Sequence, residues 1–83
     1  MVNGPDRVKE NRTAQYTATV YDQNDEVMEG QTVTWSIERR GYNQGRATID
    51  QNGLMYANDD GYVYVRATIG DVYGEIRVTI WDD

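Results

Sequence analysis

The acidic stretches are the parts of this sequence that could hold a metal ion. Asp22-Gln23-Asn24-Asp25-Glu26 brings three carboxylates together, and carboxylate oxygens are ligands that calcium prefers. An EF-hand loop requires glycine at its sixth position and glutamate at its twelfth. Counted from Asp22, those positions hold Val27 and Val33. The stretch is therefore not an EF-hand.

A looser calcium site remains compatible with the sequence. It would join Asp22, Asp25 or Glu26 to Asp59-Asp60 or to Asp71 at one end of the sandwich, because a hard cation needs several converging oxygens. The alternative is that these carboxylates are solvated turn residues, as surface acids usually are. Convergence of separate turns is not visible in a sequence, and both interpretations stay open.

Adjacent carboxylates could also act as an acid and base pair. Asp59-Asp60 and Asp82-Asp83 have this form, but glycoside hydrolysis needs two carboxyl groups that face each other across a cleft. Neighbouring residues of a strand point to opposite faces. The chain also has no histidine and no cysteine, which removes the usual general base and every thiol nucleophile. We predict that the protein is not an enzyme.

Charge and length restrict the partners and the organisation of the chain. A formal net charge of -6 opposes binding to nucleic acid or to an anionic membrane. No apolar run approaches the roughly 20 residues that span a bilayer. The basic turn Arg39-Arg40-Gly41-Tyr42 could still contact an anionic glycan or an acidic partner, although solvated surface is the plainer interpretation. We expect residues 1–83 to form a single domain taken from a larger multidomain protein.

Apolar and polar residues alternate with a period of two along most of the chain, and no segment has helical spacing. Turn signals at Asn52-Gly53, at Asp59-Asp60-Gly61 and within 70–74 separate the alternating segments. Pro5 lacks an N–H, so the first strand is expected at an edge or bent. The pattern predicts an antiparallel β-sandwich of about seven short strands. The predicted core residues are Val33, Trp35, Ile37, Ile49, Val63, Val65 and Val78.

Aromatic side chains on the outward side of the predicted strands are candidate binding residues. Tyr62, Tyr64 and Arg66 alternate with core positions and so face outward. A hairpin loop at 70–74 would place Tyr64 opposite Trp81. Tyr62, Tyr64 and Trp81 would then form an exposed aromatic strip. Such a strip could stabilise the sheet through cross-strand pairs. The alternative is a docking surface for a neighbouring domain, a protein partner or a glycan.

The sequence is similar to the bacterial Ig-like domain, group 2, a family related to the Ig-like modules of invasin- and intimin-type adhesins and of phage surfaces. The similar segments follow the order of the family pattern over most of the chain. They are Tyr16-Thr17-Ala18-Thr19-Val20-Tyr21-Asp22, Val33-Thr34-Trp35-Ser36, Ala47-Thr48-Ile49-Asp50, Gly53-Leu54, Ala57, Gly61, Val63, Val65-Arg66-Ala67-Thr68 and Val78-Thr79-Ile80. The chain departs from the family at Tyr62 and Tyr64, where small or polar residues are usual.

This resemblance implies an all-β, immunoglobulin-like fold without catalytic residues or a cofactor. It implies a spacer, with an adhesion role alongside, in a cell-surface, secreted or phage-tail protein, located outside the cell or on a virion. Expected partners are neighbouring domains and a host glycan or surface protein, with no nucleic acid and no membrane insertion. Two alternatives stay open: a calcium-stabilised accessory domain, and a carbohydrate- or protein-binding module that uses Tyr62, Tyr64, Trp81 and Arg66.

Overall fold

A computed structural model of the protein describes residues 2–19, 32–70 and 72–82. These residues form nine strands and no helix. In chain order, the strands are β1 Val2–Asn3, β2 Arg7–Lys9, β3 Thr13–Gln15, β4 Thr17–Ala18, β5 Thr34–Glu38, β6 Arg46–Ile49, β7 Leu54–Asp59, β8 Gly61–Ile69 and β9 Val72–Trp81.

The strands form two main sheets and a short ladder. One sheet has the order β2-β9-β8-β5, the other has the order β3-β7-β6, and β1 pairs with β4. All pairings between these strands are antiparallel except that of β2 with β9, which is parallel. The predicted all-β, antiparallel sandwich of the immunoglobulin type is confirmed.

The first extended segment of the chain is divided at Pro5 into β1 and β2. Before Pro5, β1 pairs with β4, and β4 is separated from β3 by one residue, Tyr16. After Pro5, β2 pairs with β9 of the four-stranded sheet. Proline fixes φ and offers no N–H to a ladder. The chain therefore passes from the β1–β4 ladder to the four-stranded sheet at a residue that offers no N–H to either.

The core lies between the facing sides of the sheets. Its buried hydrophobic residues are Val2, Val8, Tyr16, Trp35, Met55, Ala57, Val63, Val65, Ala67, Val78 and Ile80. Of the predicted core residues, Trp35, Val63, Val65 and Val78 belong to this set, and Val33, Ile37 and Ile49 are partly buried against it. Alternation is the cause, because each buried residue of β8 and β9 is separated from the next by one outward residue.

The turn before β7 is held by a side chain. The Oδ1 atom of Asp50 accepts hydrogen bonds from the amides of Asn52 (2.9 Å) and Leu54 (3.0 Å). Gly53 has φ 81°, and a Cβ there would lie 2.4 Å from the carbonyl oxygen of Tyr16. This position thus requires glycine both for its backbone conformation and for its close approach to the core.

The predicted register of the last hairpin is wrong. Ile69 pairs with Val72, so only two residues connect β8 and β9, and Tyr64 lies opposite Arg77 instead of Trp81. Gly70 has φ 59°, the left-handed conformation that short hairpin turns require. The loop does not extend through 70–74, because β9 already begins at Val72. The slip of four residues is even, so the same side chains still face outward and only their partners change.

Candidate functional site

The outward side of the four-stranded sheet carries most of the polar and aromatic chemistry of the described chain. We call it the outer face. It is formed by side chains that alternate with the core residues on β2, β9, β8 and β5: Arg7, Lys9, Glu38, Tyr62, Tyr64, Arg66, Tyr73, Glu75, Arg77, Thr79 and Trp81. Arg40, which follows β5, reaches the same face through its contact with Tyr64.

Every tyrosine and tryptophan ring of the outer face has a cation over it. The Cζ atoms of Arg66, Arg40 and Arg77 lie 4.2, 4.3 and 5.1 Å from the ring centroids of Tyr73, Tyr64 and Tyr62, respectively. The Nζ atom of Lys9 lies 5.4 Å from the Trp81 ring, and the Cζ atom of Arg7 lies 5.9 Å from it. Significant contacts of this kind occur about once per 70–80 residues in proteins. Five on a single sheet face therefore define this face as the chemically distinctive region of the domain.

One half of the outer face is electrically neutralised. Glu75 accepts hydrogen bonds from Arg40 and Arg66, and Arg66 also pairs with Glu38 at 3.2 Å. Partial burial of Glu75 favours its neutral form, but the hydrogen bonds from Arg40 and Arg66 outweigh that effect and lower the pKa of its carboxyl group. These charges already satisfy one another.

The other half of the outer face carries three cations close to two aromatic rings. We call it the basic corner: Arg7, Lys9, Tyr62, Arg77, Thr79 and Trp81. Arg7 and Arg77 are exposed, and within the described part of the chain neither forms an ion pair. Thr79 lies opposite both Arg7 of β2 and Tyr62 of β8. The three cations and two rings consequently share one end of the sheet.

The predicted aromatic strip is therefore rearranged. Tyr62 and Trp81 lie diagonally at the basic corner, since Tyr62 opposes Thr79, two residues before Trp81. Tyr64 and Arg66 belong to the neutralised half, where Arg40 covers Tyr64. The sequence did not reveal Arg7, Lys9 and Arg77 as neighbours of the aromatic rings. The alternation of β9 could have placed Arg77 on the outward side. The position of β2 beside β9 could not be predicted, because it is a long-range parallel pairing that no local pattern indicates.

The acidic residues predicted to bind calcium are only partly described. Asp22 and Asp25 lie outside the described residues. Asp59 ends β7 and has an Oδ2 atom 3.7 Å from Nε of Arg46; the amide of Asp60 donates to Glu10. Among residues 2–19, 32–70 and 72–82, no group of three or more His, Cys, Asp or Glu side chains could hold a metal ion. The calcium hypothesis stays a prediction, which equal melting temperatures with calcium and with a chelator would reject.

A shallow depression lies between the strands β5 and β6. Its volume is about 290 Å³, and it is lined by Ile37, Arg39, Arg46, Ala47, Thr48 and Asn58. Arg39 thus takes part in it, whereas Arg40 of the same basic turn contacts Glu75 and Tyr64, and Tyr42 is 92% exposed. The depression has one cation already beside a carboxylate, Arg46 near Asp59, and brings together no group suited to catalysis.

The fold is an immunoglobulin-like β-sandwich, and one of its sheets carries aromatic rings and cations on its outer face. The family model of the bacterial Ig-like domain (group 2) matches residues 5–80, and the chain belongs to that family. Its members are typically non-catalytic modules of bacterial surface or extracellular proteins. No curated protein matches the chain. In the described ranges, no helix has the length and the hydropathy to cross a membrane.

Proposed function

We propose that this domain is a non-catalytic spacer in a bacterial cell-surface, secreted or phage-tail protein, where it holds neighbouring domains apart and transmits force between them. The observation that carries the proposal is the parallel pairing of β2, which follows β1 near the start of the described chain, with β9, the last strand. Membership of the group 2 Ig-like family supports the same role.

The chain enters the sandwich at one end and leaves it at the opposite end. The carbonyl oxygen of Trp81 accepts a hydrogen bond from the amide of Glu10 at 2.8 Å, close to the start of β3 at Thr13. Val2 pairs with Ala18, at the far end of the line formed by β3 and β4. The described body measures 44 × 23 × 17 Å. A domain with this shape and these connections separates whatever precedes it from whatever follows it.

The ladder between β2 and β9 is oriented to resist a pull along the long axis. Arg7, Val8 and Lys9 pair with Thr79, Ile80 and Trp81, and both strands run in the same direction. Tension on Val2 and on the residues after Trp81 pulls the two strands in opposite directions along their own axes. The ladder hydrogen bonds then stretch together instead of opening one after another.

Single-molecule pulling with two attachment geometries tests this proposal. The chain contains no cysteine, so paired cysteines provide unique handles at the exposed positions Asn3, Arg12 and Asp82. Handles at Asn3→Cys and Asp82→Cys load the β2–β9 ladder in shear. Handles at Arg12→Cys and Asp82→Cys pull β2 and β9 apart from their common end.

We expect a clearly higher unfolding force for the Asn3–Asp82 geometry at the same loading rate. Urea denaturation of both variants provides the control, because equal free energies of unfolding attribute the difference in force to geometry alone. Equal forces in the two geometries, or a lower force for Asn3–Asp82, would overturn the proposal that the domain is built to transmit force.

A further inference from the structure

We infer that the outward side of the three-stranded sheet binds an uncharged polysaccharide, with Tyr56 as the ring on which a sugar packs. This inference goes beyond the spacer role, which does not depend on it. It rests on the juxtaposition of an exposed aromatic ring, uncharged hydrogen-bonding side chains and an adjoining depression on one sheet. We call this surface the neutral face, and its residues are Thr13, Gln15, Thr48, Leu54 and Tyr56.

The neutral face carries little charge on a strongly charged protein. Charged residues make up 27% of the chain, yet the only ones in β3, β6 and β7 are Arg46 and Asp59, which lie at one corner and pair with each other at 3.7 Å. The carboxylate of Asp50, the residue after β6, accepts hydrogen bonds from the amides of Asn52 and Leu54. A charged ligand would find no opposite charge here to replace the water that it gives up. The chemistry of this face therefore suits an uncharged ligand.

Tyr56 occupies the centre of the neutral face. Its Cα lies opposite that of Thr13 on one side and that of Thr48 on the other, and 40% of the residue is exposed. The hydroxyl oxygen is 3.5 Å from Oδ1 of Asn11, two residues before Thr13, so the ring leans across β3. Within the described residues, no arginine or lysine lies over this ring, in contrast to the rings of the outer face. The open side of the ring attracts the weakly positive C–H groups of a sugar.

Uncharged hydrogen-bonding groups surround the ring. Thr13 and Thr48 are exposed on its two sides, and each hydroxyl group both donates and accepts, as the hydroxyl groups of a sugar do. Leu54 lies two residues before Tyr56 on the same side of β7 and is also 40% exposed. Gln15 lies opposite Leu54, and its Nε2 atom is bonded to two backbone carbonyl oxygens, which fixes the position of the side chain. These groups form a platform along β7 that a linear polymer can follow.

The neutral face adjoins the shallow depression between β5 and β6. Thr48 belongs to both, since it lies opposite Tyr56 and also lines the depression, together with Ile37 and Asn58 among others. Ligand sites in proteins are usually concave, with a few polar groups at defined positions. A polymer that packs on Tyr56 can therefore place a substituent or a branching sugar in this depression.

A protein partner or a second copy of this chain fits the neutral face less well. A stable protein interface buries about 800 Å² and about 20–30 residues per partner, around an apolar centre. The neutral face offers five side chains, of which only Leu54 and Tyr56 are large and apolar. A short stretch of polysaccharide covers such an area and needs no apolar centre beyond one ring.

Isothermal titration calorimetry of the 83-residue chain with polysaccharides tests the inference. The probes are three neutral polymers, namely dextran, hydroxyethyl cellulose and galactomannan, with dextran sulfate as the charged counterpart of dextran. We expect saturable binding of at least one neutral polymer and no binding of dextran sulfate. The affinity for the neutral polymer should be the same at low and at high sodium chloride concentration, because salt screens only interactions between charges.

Matched tyrosine variants locate the site. We expect Tyr56→Ala to bind about tenfold more weakly, because the ring supplies most of the apolar contact. Tyr56→Phe keeps the ring and should stay within about twofold of the unaltered protein. Tyr42→Ala removes a tyrosine that is 92% exposed on the loop after β5, and it should also stay within about twofold. Melting temperatures confirm that each variant is folded. Amide chemical shifts of the unaltered protein locate the ligand independently of any variant, and the largest changes should lie in β6 and β7.

Any one of five results would overturn the inference. They are an absence of binding to all three neutral polymers, tighter binding of dextran sulfate than of any neutral polymer, an equal loss of affinity in Tyr56→Ala and Tyr42→Ala, chemical shift changes concentrated on the outer face, and self-association of the chain that Tyr56→Ala abolishes in analytical ultracentrifugation. The fourth would assign the sugar to the other sheet, and the last would assign the neutral face to a second copy of the chain.

Discussion

The hydroxyl group of Tyr16 donates a hydrogen bond to the carbonyl oxygen of Pro5, with an O···O distance of 2.5 Å. Tyr16 is 1% exposed, and Pro5 lies between β1 of the short ladder and β2 of the four-stranded sheet. A side chain of the core thereby holds the crossing point of the chain. This contact joins the strand β1, the break at Pro5 and the interior of the sandwich.

Removal of the Tyr16 hydroxyl should destabilise the domain by about 1 kcal/mol, because Tyr16→Phe deletes the donor and keeps the ring. Urea denaturation measures the change in the free energy of unfolding. Tyr56→Phe is the matched control, since the exposed Tyr56 hydroxyl is 3.5 Å from Oδ1 of Asn11 and its loss should change stability little. Equal stability of Tyr16→Phe and the unaltered protein would show that the bond is not stabilising.

The stability of the domain at alkaline pH should also depend on Tyr16. Burial, with a smaller contribution from the charge of Asp6, raises the pKa of Tyr16 from 10.0 to about 12. The folded state therefore holds this proton more tightly than the unfolded state does. The contribution to stability is complete below pH 10, and it is lost as the pH rises through 12.

The comparison that isolates this effect is between the unaltered protein and Tyr16→Phe, each melted at a series of pH values from 9 to 12, a range that spans the ordinary and the raised pKa. We expect the melting temperature of the unaltered protein to fall more steeply above pH 10. Parallel curves for the two proteins would contradict a raised pKa at Tyr16.

Two glycines with the same backbone angle offer a test of close packing. Gly53 and Gly41 both have φ 81°, but a Cβ at Gly53 would lie 2.4 Å from the Tyr16 carbonyl oxygen, whereas a Cβ at Gly41 meets nothing within 4 Å. Gly41→Ala should cost about 1 kcal/mol for the left-handed conformation. Gly53→Ala should cost about 2 kcal/mol more, as overpacking does. Denaturant midpoints measure the loss of stability in each variant. Similar losses for Gly41→Ala and Gly53→Ala would refute the crowding at Gly53.

The carboxylate of Glu75 should contribute to stability near neutral pH and not in acid. Hydrogen bonds from Arg40 and Arg66 lower its pKa below the ordinary 4.5 despite partial burial. The contribution is thus present above that value and is lost as the pH falls through the lowered pKa. Glu75→Gln should be less stable than the unaltered protein at pH 7 by about 1 kcal/mol.

The same variant should approach the unaltered protein in stability as the pH falls from 4.5 through the lowered pKa of Glu75, because the native carboxyl group is then protonated as well. Glu38→Gln is the control, since Glu38 contacts one arginine and its side chain is 40% exposed. A constant difference between Glu75→Gln and the unaltered protein across acid pH would disprove the lowered pKa.

The architecture could be predicted because alternation determines which side chains are buried. Trp35, Val63, Val65 and Val78 all lie at positions that the period of two assigns to the core, and all are buried. Met55 could not be assigned in this way, because Leu54, Met55, Tyr56 and Ala57 are all apolar and no alternation is visible. Contact with the other sheet decides that Met55 and Ala57 face inward.

The candidate site was less predictable because it depends on which strands are neighbours. Tyr62 and Trp81 were correctly placed on the outer face, but their partners follow from a two-residue connection at Gly70 and from the parallel pairing that brings Arg7 beside Thr79. Turn length is ambiguous where glycines occur at both ends of a segment, here Gly70 and Gly74. A long-range pairing leaves no local signal at all.

The crossing of the chain at Pro5 has a consequence for how the domain opens. Since one short segment contributes β1 to one ladder and β2 to the other sheet, the layers cannot part without detaching this segment from at least one of them. We expect cooperative, all-or-none denaturation without a half-open intermediate. A protease would then cleave the core backbone only in fully unfolded molecules, and the rate of proteolysis would follow the global folding equilibrium.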